Sequence, residues 1–298
     1  MTYAEKLKKR CLETGSGLCV GLDPRPELTK GGVEAIPEFL RRIVGETAEF
    51  TAAFKPNMAY FEAMGLRGIE ILQDLLGEMP TEVPVILDAK RSDIGETQKY
   101  YARSYFENWG VDAVTLNPFL GYDTLEPFLD WEGKGVYLLA VTSNPGSVDF
   151  QRRDCEGKAL FERVGDLCDR AAAEGRKTSA GLVVGLTNAD QNVLGNLPDV
   201  PLLIPGLGAQ GGSLDSLKDS GREAPSVVNV SRGITYTDSK DYAGLAKDWA
   251  QKNRRRTKLS GMSSNESASE RNSGLLPKKG WPGRNYRFWR YRLLPQIL

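Results

Sequence analysis

Eight short apolar runs, separated by stretches with helical spacing, constrain the fold of this 298-residue chain more than any other feature. Each run is nearly continuous in apolar residues rather than alternating, which is typical of parallel strands that helices cover on both faces. The predicted strands are Gly17–Leu22, Phe50–Lys55, Val83–Ala89, Asp112–Asn117, Gly135–Val141, Ala180–Leu186, Val200–Pro205 and Ser226–Val230. The pattern predicts an α/β protein with a parallel sheet.

The stretches between these runs carry the spacing of amphipathic helices. The predicted helices are Gly68–Leu76, Ile94–Trp109, Lys158–Ala173 and Tyr242–Lys252. In the first of them, four apolar residues share one stripe, namely Ile69, Leu72, Leu75 and Leu76. Eight strands alternating with helices over about 250 residues predict a (β/α)8 TIM barrel. A doubly wound open sheet is the alternative, because one missed or extra strand would change the count.

The composition argues against several classes of protein. No apolar run approaches the roughly 20 residues that a membrane span needs, and Met1–Arg10 lacks the apolar segment of a secretory signal. The four cysteines form no C-x-x-C pair, as expected for thiols in a reducing compartment. We therefore expect a soluble, cytoplasmic enzyme without a membrane partner.

The chain contains no histidine. This excludes Ser-His-Asp and Cys-His nucleophilic catalysis and H-E-x-x-H zinc sites. Proton transfer near neutral pH must then fall to Asp, Glu, Lys, Tyr or Cys. A lysine beside carboxylates becomes the leading candidate.

Charge is distributed unevenly along the chain. Residues 253–298 carry a net charge of +9, and the remainder carries −9. Residues 260–273 are poor in apolar residues, which is typical of disorder, and arginines alternate with aromatic residues after them. We predict a barrel domain over 1–256 and a basic, disordered extension over 257–298. Binding of nucleic acid by the extension is the alternative, which we do not favour.

Charged residues lie at the carboxyl ends of predicted strands, where barrels carry their functional groups. Asp88 and Lys90 are two residues apart, so on a strand both would point the same way. Asp93 follows in the loop, and Lys55 ends the neighbouring strand. These four residues are predicted to form a charge cluster, paired because unpaired buried charges are costly. A structural salt-bridge network is the alternative explanation.

A glycine-rich segment, PGLGAQGG at 205–212, follows the seventh predicted strand. Its backbone N–H groups and a following helix N-terminus favour an anion, and Arg232 ends the next strand. Barrels often bind phosphate at this position. We predict a phosphate site here, with a plain flexible turn as the alternative.

Seven motifs together resemble the orotidine 5′-phosphate decarboxylase family, in the branch that carries F-K-P-N and S-N-P-G. They are GLCVGLDPRPE (17–27), AAFKPNMAYFE (52–62), VILDAKRSDIGET (85–97), VTLNPFLGYDTLEPF (114–128), AVTSNPGS (140–147), PGLGAQGG (205–212) and VNVSRGITY (228–236). The resemblance covers roughly residues 1–250. It implies conversion of orotidine 5′-phosphate (OMP) to UMP and CO2 in de novo pyrimidine synthesis, without metal or organic cofactor.

The resemblance also implies roles for individual residues. Lys90 would protonate C6 of the pyrimidine, Asp88 would lie beside the substrate carboxylate, and Lys55 and Asp93 would complete the charged cluster. The family pattern takes Asp93 and Thr97 from the other subunit of a homodimer. The remaining roles are ribose binding by Asp23 and Lys55, pyrimidine contact by Ser143, and phosphate binding by Gln210, Arg232, Gly208 and Gly211.

Two other functions compete with this hypothesis. Metal-dependent sugar-phosphate decarboxylases and aldolases of the same barrel superfamily share D-x-K-x-x-D. Here Lys55 stands where a metal-binding carboxylate would be expected, which argues against them. The second competitor is a non-catalytic nucleotide-binding barrel whose basic extension binds nucleic acid.

Overall fold

Eight parallel strands form the centre of the computed structural model, which describes residues 1–185, 191–205, 217 and 221–256. We number them β1 to β8: Leu18–Leu22, Ala53–Pro56, Ile86–Arg91, Ala113–Leu116, Gly135–Val141, Ser179–Val184, Leu202–Ile204 and Ser226–Val230. Their hydrogen-bonded order is β2-β1-β8-β7-β6-β5-β4-β3. Each strand thus neighbours the ones before and after it in the chain, as in a TIM barrel.

The two ends of this order, β2 and β3, also meet. Isolated parallel bridges join Phe54 to Val85 and Asn57 to Asp88, and the Phe54 amide donates to the Pro84 carbonyl at 2.9 Å. The sheet is therefore a nearly closed barrel. The predicted (β/α)8 fold is confirmed, and the open-sheet alternative is wrong.

The strand boundaries correct the sequence analysis in detail. Predictions for β5 and β8 match the observed limits, whereas β2 begins at Ala53 because residues 48–50 form a turn of 3-10 helix. Strand β3 begins three residues later than predicted and continues to Arg91. Its register against β4 shifts beyond Leu87, and this irregularity lies at the predicted charge cluster.

The helices cover the outside of the barrel. The described α-helices, numbered α1 to α11, are Tyr3–Thr14, Ile36–Thr47, Met58–Glu62, Gly65–Glu78, Gly95–Ala102, Glu126–Leu129, Ser147–Phe150, Leu160–Ala173, Gln191–Gly195, Arg232–Thr235 and Tyr242–Arg256. The helix predicted over 94–109 divides into α5 and a π-helix, Arg103–Asn108. In α4 the buried stripe includes Ile71, and the predicted Ile69 is only partly buried.

Helix α1 covers the amino-terminal ends of the central strands. The Tyr3 hydroxyl lies 3.1 Å from that of Tyr137 in β5, and Lys6 pairs with Asp112 at 2.6 Å, just before β4. A cluster of buried residues, which includes Tyr3 and Tyr137, fills the barrel interior above α1. Among the described residues, side chains fill this end of the barrel, so a ligand site is expected at the carboxyl ends of the strands.

Part of the predicted organisation lies outside the described residues. This applies to the extension over 257–298 and to the glycine-rich segment with Gly208, Gln210 and Gly211. Among the helices that the structure describes, none combines the length and the apolar character needed to cross a bilayer.

Candidate active site

A cavity of about 880 Å³ opens at the carboxyl ends of the strands. Most of the predicted site residues line it, although they come from distant parts of the chain: Asp23, Lys55, Asp88, Lys90, Ser143 and Arg232. Leu139, Val183 and Leu203 form an apolar floor inside the barrel. A cavity with an apolar floor and convergent polar groups is typical of a small-molecule site.

Three of these residues form an alternating charged array, Lys55–Asp88–Lys90. The Lys55 Nζ lies 2.9 Å from Asp88 Oδ2, and the Lys90 ammonium pairs with Asp88 Oδ1. The exposed fractions of the side chains are 4% for Lys55, 11% for Asp88 and 48% for Lys90. The array is therefore closed at Lys55 and open to the cavity at Lys90.

Mutual pairing keeps the buried members of the array charged. Burial opposes ionisation of Lys55, but the carboxylates of Asp88 and Asp23 outweigh it and hold the Lys55 pKa above its ordinary value. Burial also opposes ionisation of Asp88, but the ammonium groups of Lys55 and Lys90 hold the Asp88 pKa below its ordinary value. Near neutral pH, Asp88 is therefore negatively charged and Lys55 positively charged, and the two form an ion pair.

Asp23 follows β1 at the edge of the same cavity. Its Oδ1 atom is buried and has no hydrogen-bond partner among the described residues. A buried acceptor of this kind usually has a partner in the functional state of a protein. Asp23 is thus suited to accept a hydrogen bond from a hydroxyl group of a ligand.

The backbone around Lys90 departs from the regular strand on which its prediction rested. Lys90 has φ of +49°, a region that residues other than glycine rarely adopt. Its amide donates to the Thr115 Oγ1 at 2.9 Å, and that hydroxyl donates to Asp88 Oδ1 at 3.0 Å. Asp88 and Lys90 do meet, but through a bulge and not through strand alternation.

Ser143 is held at the rim by the loop after β5. The side-chain amide of Gln151 accepts from the Thr142 backbone N–H and donates to the Thr142 hydroxyl, both at 2.8 Å. Gly185 makes room on the other side, because a Cβ there would lie 2.8 Å from the Ser143 nitrogen. Ser143 therefore faces the cavity on a braced backbone.

Arg232 is the first residue of α10, directly after β8, and it is exposed at the cavity. The neighbouring Ser231 hydroxyl is buried without a hydrogen-bond partner among the described residues. The predicted partners Gln210, Gly208 and Gly211 lie outside the described part of the chain. Of the residues predicted to bind phosphate, the structure thus places only Arg232 at the cavity, and phosphate binding stays a prediction.

The structure does not bring Asp93 and Thr97 to the array within one chain. Asp93 Oδ1 accepts from the Ile94 amide at 2.8 Å, and Thr97 is exposed on α5. Neither is among the described residues that line the cavity. Their expected contribution to a partner's site stays a prediction.

Sequence reasoning missed several residues of the cavity. Thr115 lies inside the V-T-L-N-P motif, and Arg25 lies inside D-P-R-P, but neither was singled out. The Arg25 guanidinium stands 5.7 Å from the ring centroid of Tyr60 and 6.0 Å from that of Tyr236. Their position within the quoted motifs was the only available signal. Their packing depends on contacts between distant strands.

The arrangement favours electrostatic and proton-transfer chemistry. Its ammonium and carboxylate groups are already oriented, so little reorganisation is needed when charge develops on a ligand. Among the described residues, no three His, Cys, Asp or Glu side chains form a group suited to hold a metal ion.

Known proteins resemble the chain over most of its length. The model of the "Orotidine 5'-phosphate decarboxylase / HUMPS family" matches residues 16–246. The orotidine 5′-phosphate decarboxylase of Dehalococcoides mccartyi is 42% identical over 248 residues, which cover 80% of this chain and 90% of the relative. That of Cupriavidus metallidurans is 42% identical over 267 residues, covering 85% and 97%. The structure of Leishmania donovani OMP decarboxylase has a TM-score of 0.74 at 34% identity, covering 86% and 98%.

Proposed function

The chain belongs to the orotidine 5′-phosphate decarboxylase family, and we propose that it converts orotidine 5′-phosphate to UMP and CO2 in cytoplasmic pyrimidine biosynthesis. The observation that carries this proposal is the Lys55–Asp88–Lys90 array at the open end of the barrel. Decarboxylation leaves a pair of electrons on a ring carbon that cannot delocalise it. A preorganised ammonium group beside that carbon is the feature the reaction needs.

In the proposed mechanism, the bond between C6 and the carboxylate breaks and its electron pair stays on C6. The Lys90 ammonium stabilises this charge and then donates a proton to C6, forming UMP. Asp88 lies beside the departing carboxylate and keeps Lys90 oriented. The 48% exposure of the Lys90 side chain supports this role, because the ammonium must reach a ligand. The mechanism uses no metal or organic cofactor.

The remaining contacts are proposed to bind the nucleotide. Asp23 and Lys55 hold the ribose hydroxyls, and the unpartnered Asp23 Oδ1 supports this assignment. Ser143 contacts the pyrimidine ring, and the 5′-phosphate binds Arg232 together with Gln210, Gly208 and Gly211. Phosphate binding far from C6 supplies energy for holding the base against the charged array.

We further propose that the enzyme is a homodimer with shared active sites. Asp93 and Thr97 would enter the partner's site, which is supported by their position outside the cavity of their own chain. Large apolar side chains are exposed next to Asp93, in α5 and in the turn after β4, namely Ile94, Tyr100, Phe119 and Leu120. An exposed set of this kind is typical of an interaction surface.

The test is decarboxylation of OMP by the purified chain, followed by the fall in ultraviolet absorbance, before and after EDTA treatment. We expect turnover in both conditions. Absence of turnover with OMP would overturn the proposed function. Turnover of OMP that disappears with EDTA and returns with Mg²⁺ would instead overturn the metal-independent mechanism.

A further inference from the structure

We propose that Thr115 is a positioning residue for the reaction, because its hydroxyl holds both the backbone of Lys90 and the carboxylate of Asp88. The proposal rests on the proposed function, since Lys90 matters here as the proton donor. Thr115 lies in β4, is 1% exposed and lines the cavity beside the array.

The bulge in β3 explains why this hydroxyl is needed. Leu87 pairs with Val114 and Arg91 pairs with Leu116. Three residues of β3 therefore stand opposite Thr115 alone, where a regular ladder would have one. In a bulge, backbone groups lose their ladder partners, and a buried N–H without a partner is costly.

The Thr115 hydroxyl replaces the missing ladder contact. It accepts the Lys90 N–H at 2.9 Å and donates its own hydrogen to Asp88 Oδ1 at 3.0 Å. A hydroxyl can do both at once, because it has one donor and two acceptor lone pairs. One atom thus links the backbone of the lysine to the carboxylate that orients its ammonium.

The position of Lys90 depends on these hydrogen bonds, whereas the position of Lys55 is fixed largely by burial. The Lys55 side chain is held by burial, at 4% exposed, whereas that of Lys90 is 48% exposed. Its backbone also has φ of +49°, which persists only where the surroundings impose it. The Thr115 hydroxyl holds the backbone of Lys90 in this conformation, and the Asp88 carboxylate holds its ammonium.

The experiment compares Thr115→Val with Thr115→Ser and with the control Thr47→Val. Valine keeps the shape and β-branching but removes the hydroxyl, and serine keeps the hydroxyl. The control removes another buried hydroxyl, that of Thr47, which donates to the Ile43 carbonyl at 2.7 Å. Thr47 is not among the described residues that line the cavity. For each variant, kcat and KM for OMP, UMP affinity and the unfolding temperature are measured.

We expect Thr115→Val to lower kcat by about 10- to 100-fold, the effect of losing a hydrogen bond to a charged group. Its KM and UMP affinity should stay within about 3-fold, because only the reacting geometry is disturbed. Thr115→Ser should recover most of the kcat, and Thr47→Val should match wild type. This split between kcat and KM identifies positioning of the proton donor.

Other outcomes overturn the proposal. An unchanged kcat in Thr115→Val, beside an active wild type, would remove Thr115 from the reaction. Loss of folding or of UMP binding in both Thr115→Val and Thr115→Ser would assign Thr115 a structural role only. Absence of OMP turnover by wild type would refute the proposed function and this inference with it, a result distinct from the other two.

Discussion

Asp88 forms ion pairs with two lysines, one buried and one partly exposed. Its Oδ2 pairs with Lys55, whose side chain is 4% exposed, and its Oδ1 pairs with Lys90, which is 48% exposed. Lys55 has little hydration of its own and depends on the carboxylate for its charge. Lys90 keeps one side open to the cavity. A single carboxylate therefore neutralises a buried cation and orients a proposed proton donor.

Removing Asp88 should destabilise the fold as well as the site. Asp88→Ala leaves the Lys55 ammonium buried without its main partner, so we expect a loss of about 3–5 kcal/mol in the free energy of unfolding. Urea unfolding measures this loss. The matched control is Asp166→Ala, which removes an exposed ion pair with Lys158 and should cost at most about 1 kcal/mol. Equal losses in the two variants would contradict the account.

The pH dependence of this loss follows from the two pKa shifts. The Asp88 pKa is held below its ordinary value, so its stabilisation is present above about pH 4 and is lost as pH falls through the folded-state pKa. The Lys55 pKa is held above its ordinary value, so its stabilisation is present below about pH 10 and is lost as pH rises through the folded-state pKa. The difference in free energy of unfolding between wild type and Asp88→Ala should therefore shrink as pH falls below about 4, where Asp88 becomes protonated. A difference that grows on acidification would be inconsistent with these shifts.

At the scale of the elements, the carboxyl ends of the strands set the shape of the cavity. Strand β6 is followed by Gly185, whose amide donates to the Val141 carbonyl at 2.7 Å. The two backbones can approach this closely because Gly185 has no side chain, and Ser143 occupies the space where a Cβ would lie. The absence of a side chain at Gly185 thus makes room for a proposed ligand contact, Ser143, just after the neighbouring strand β5.

Gly185→Ala should therefore disturb substrate binding. Its Cβ would lie 2.8 Å from the Ser143 nitrogen and 3.0 Å from the Ser143 Cα, so the end of β5 must move. We expect KM for OMP to rise about 10-fold, the effect of roughly one weakened hydrogen bond, as measured by steady-state kinetics. Gly45→Ala is the control, since nothing lies within 4 Å of its Cβ and alanine favours a helix interior. A KM equal to that of the control would show that the close approach is irrelevant.

The elements were largely predictable from sequence, and the site only partly. Hydrophobic runs located all eight strands, because burial on both faces leaves a continuous apolar signature. The bulge at Lys90 was not predictable, since it depends on the register between β3 and β4. Thr115 was missed for the same reason. The association of Lys55 with Asp88 was predictable, because adjacent parallel strands end at the same rim.

At the scale of the whole molecule, the two ends of the barrel have different tasks. Helix α1 and the Tyr3–Tyr137 contact close the amino-terminal end, and the charged array occupies the other. Asp93 and Thr97 lie outside the cavity of their own chain. In the proposed dimer they would complete the active site of the partner, so activity would require both subunits. Their roles cannot be read from one chain, because the ligand they would contact belongs to the partner.

Hybrid dimers test this arrangement. Lys90→Ala and Asp93→Ala homodimers should each be nearly inactive, since each has both sites damaged. In a hybrid of the two variants, one site collects both substitutions and the other is intact. Because the proposed dimer is symmetric, we expect the purified hybrid to regain about half of the wild-type activity. A hybrid as inactive as its parents would show that Asp93 serves its own site.

Turnover of OMP by wild type and by Lys90→Ala tests the central claim most directly, with UMP binding measured in parallel. The account predicts loss of activity in Lys90→Ala by at least about 10²–10⁴-fold, the contribution of a general acid, while UMP affinity remains comparable to that of wild type. A Lys90→Ala variant that decarboxylates OMP at the wild-type rate would contradict the account, because the Lys55–Asp88–Lys90 array would then not supply the proton.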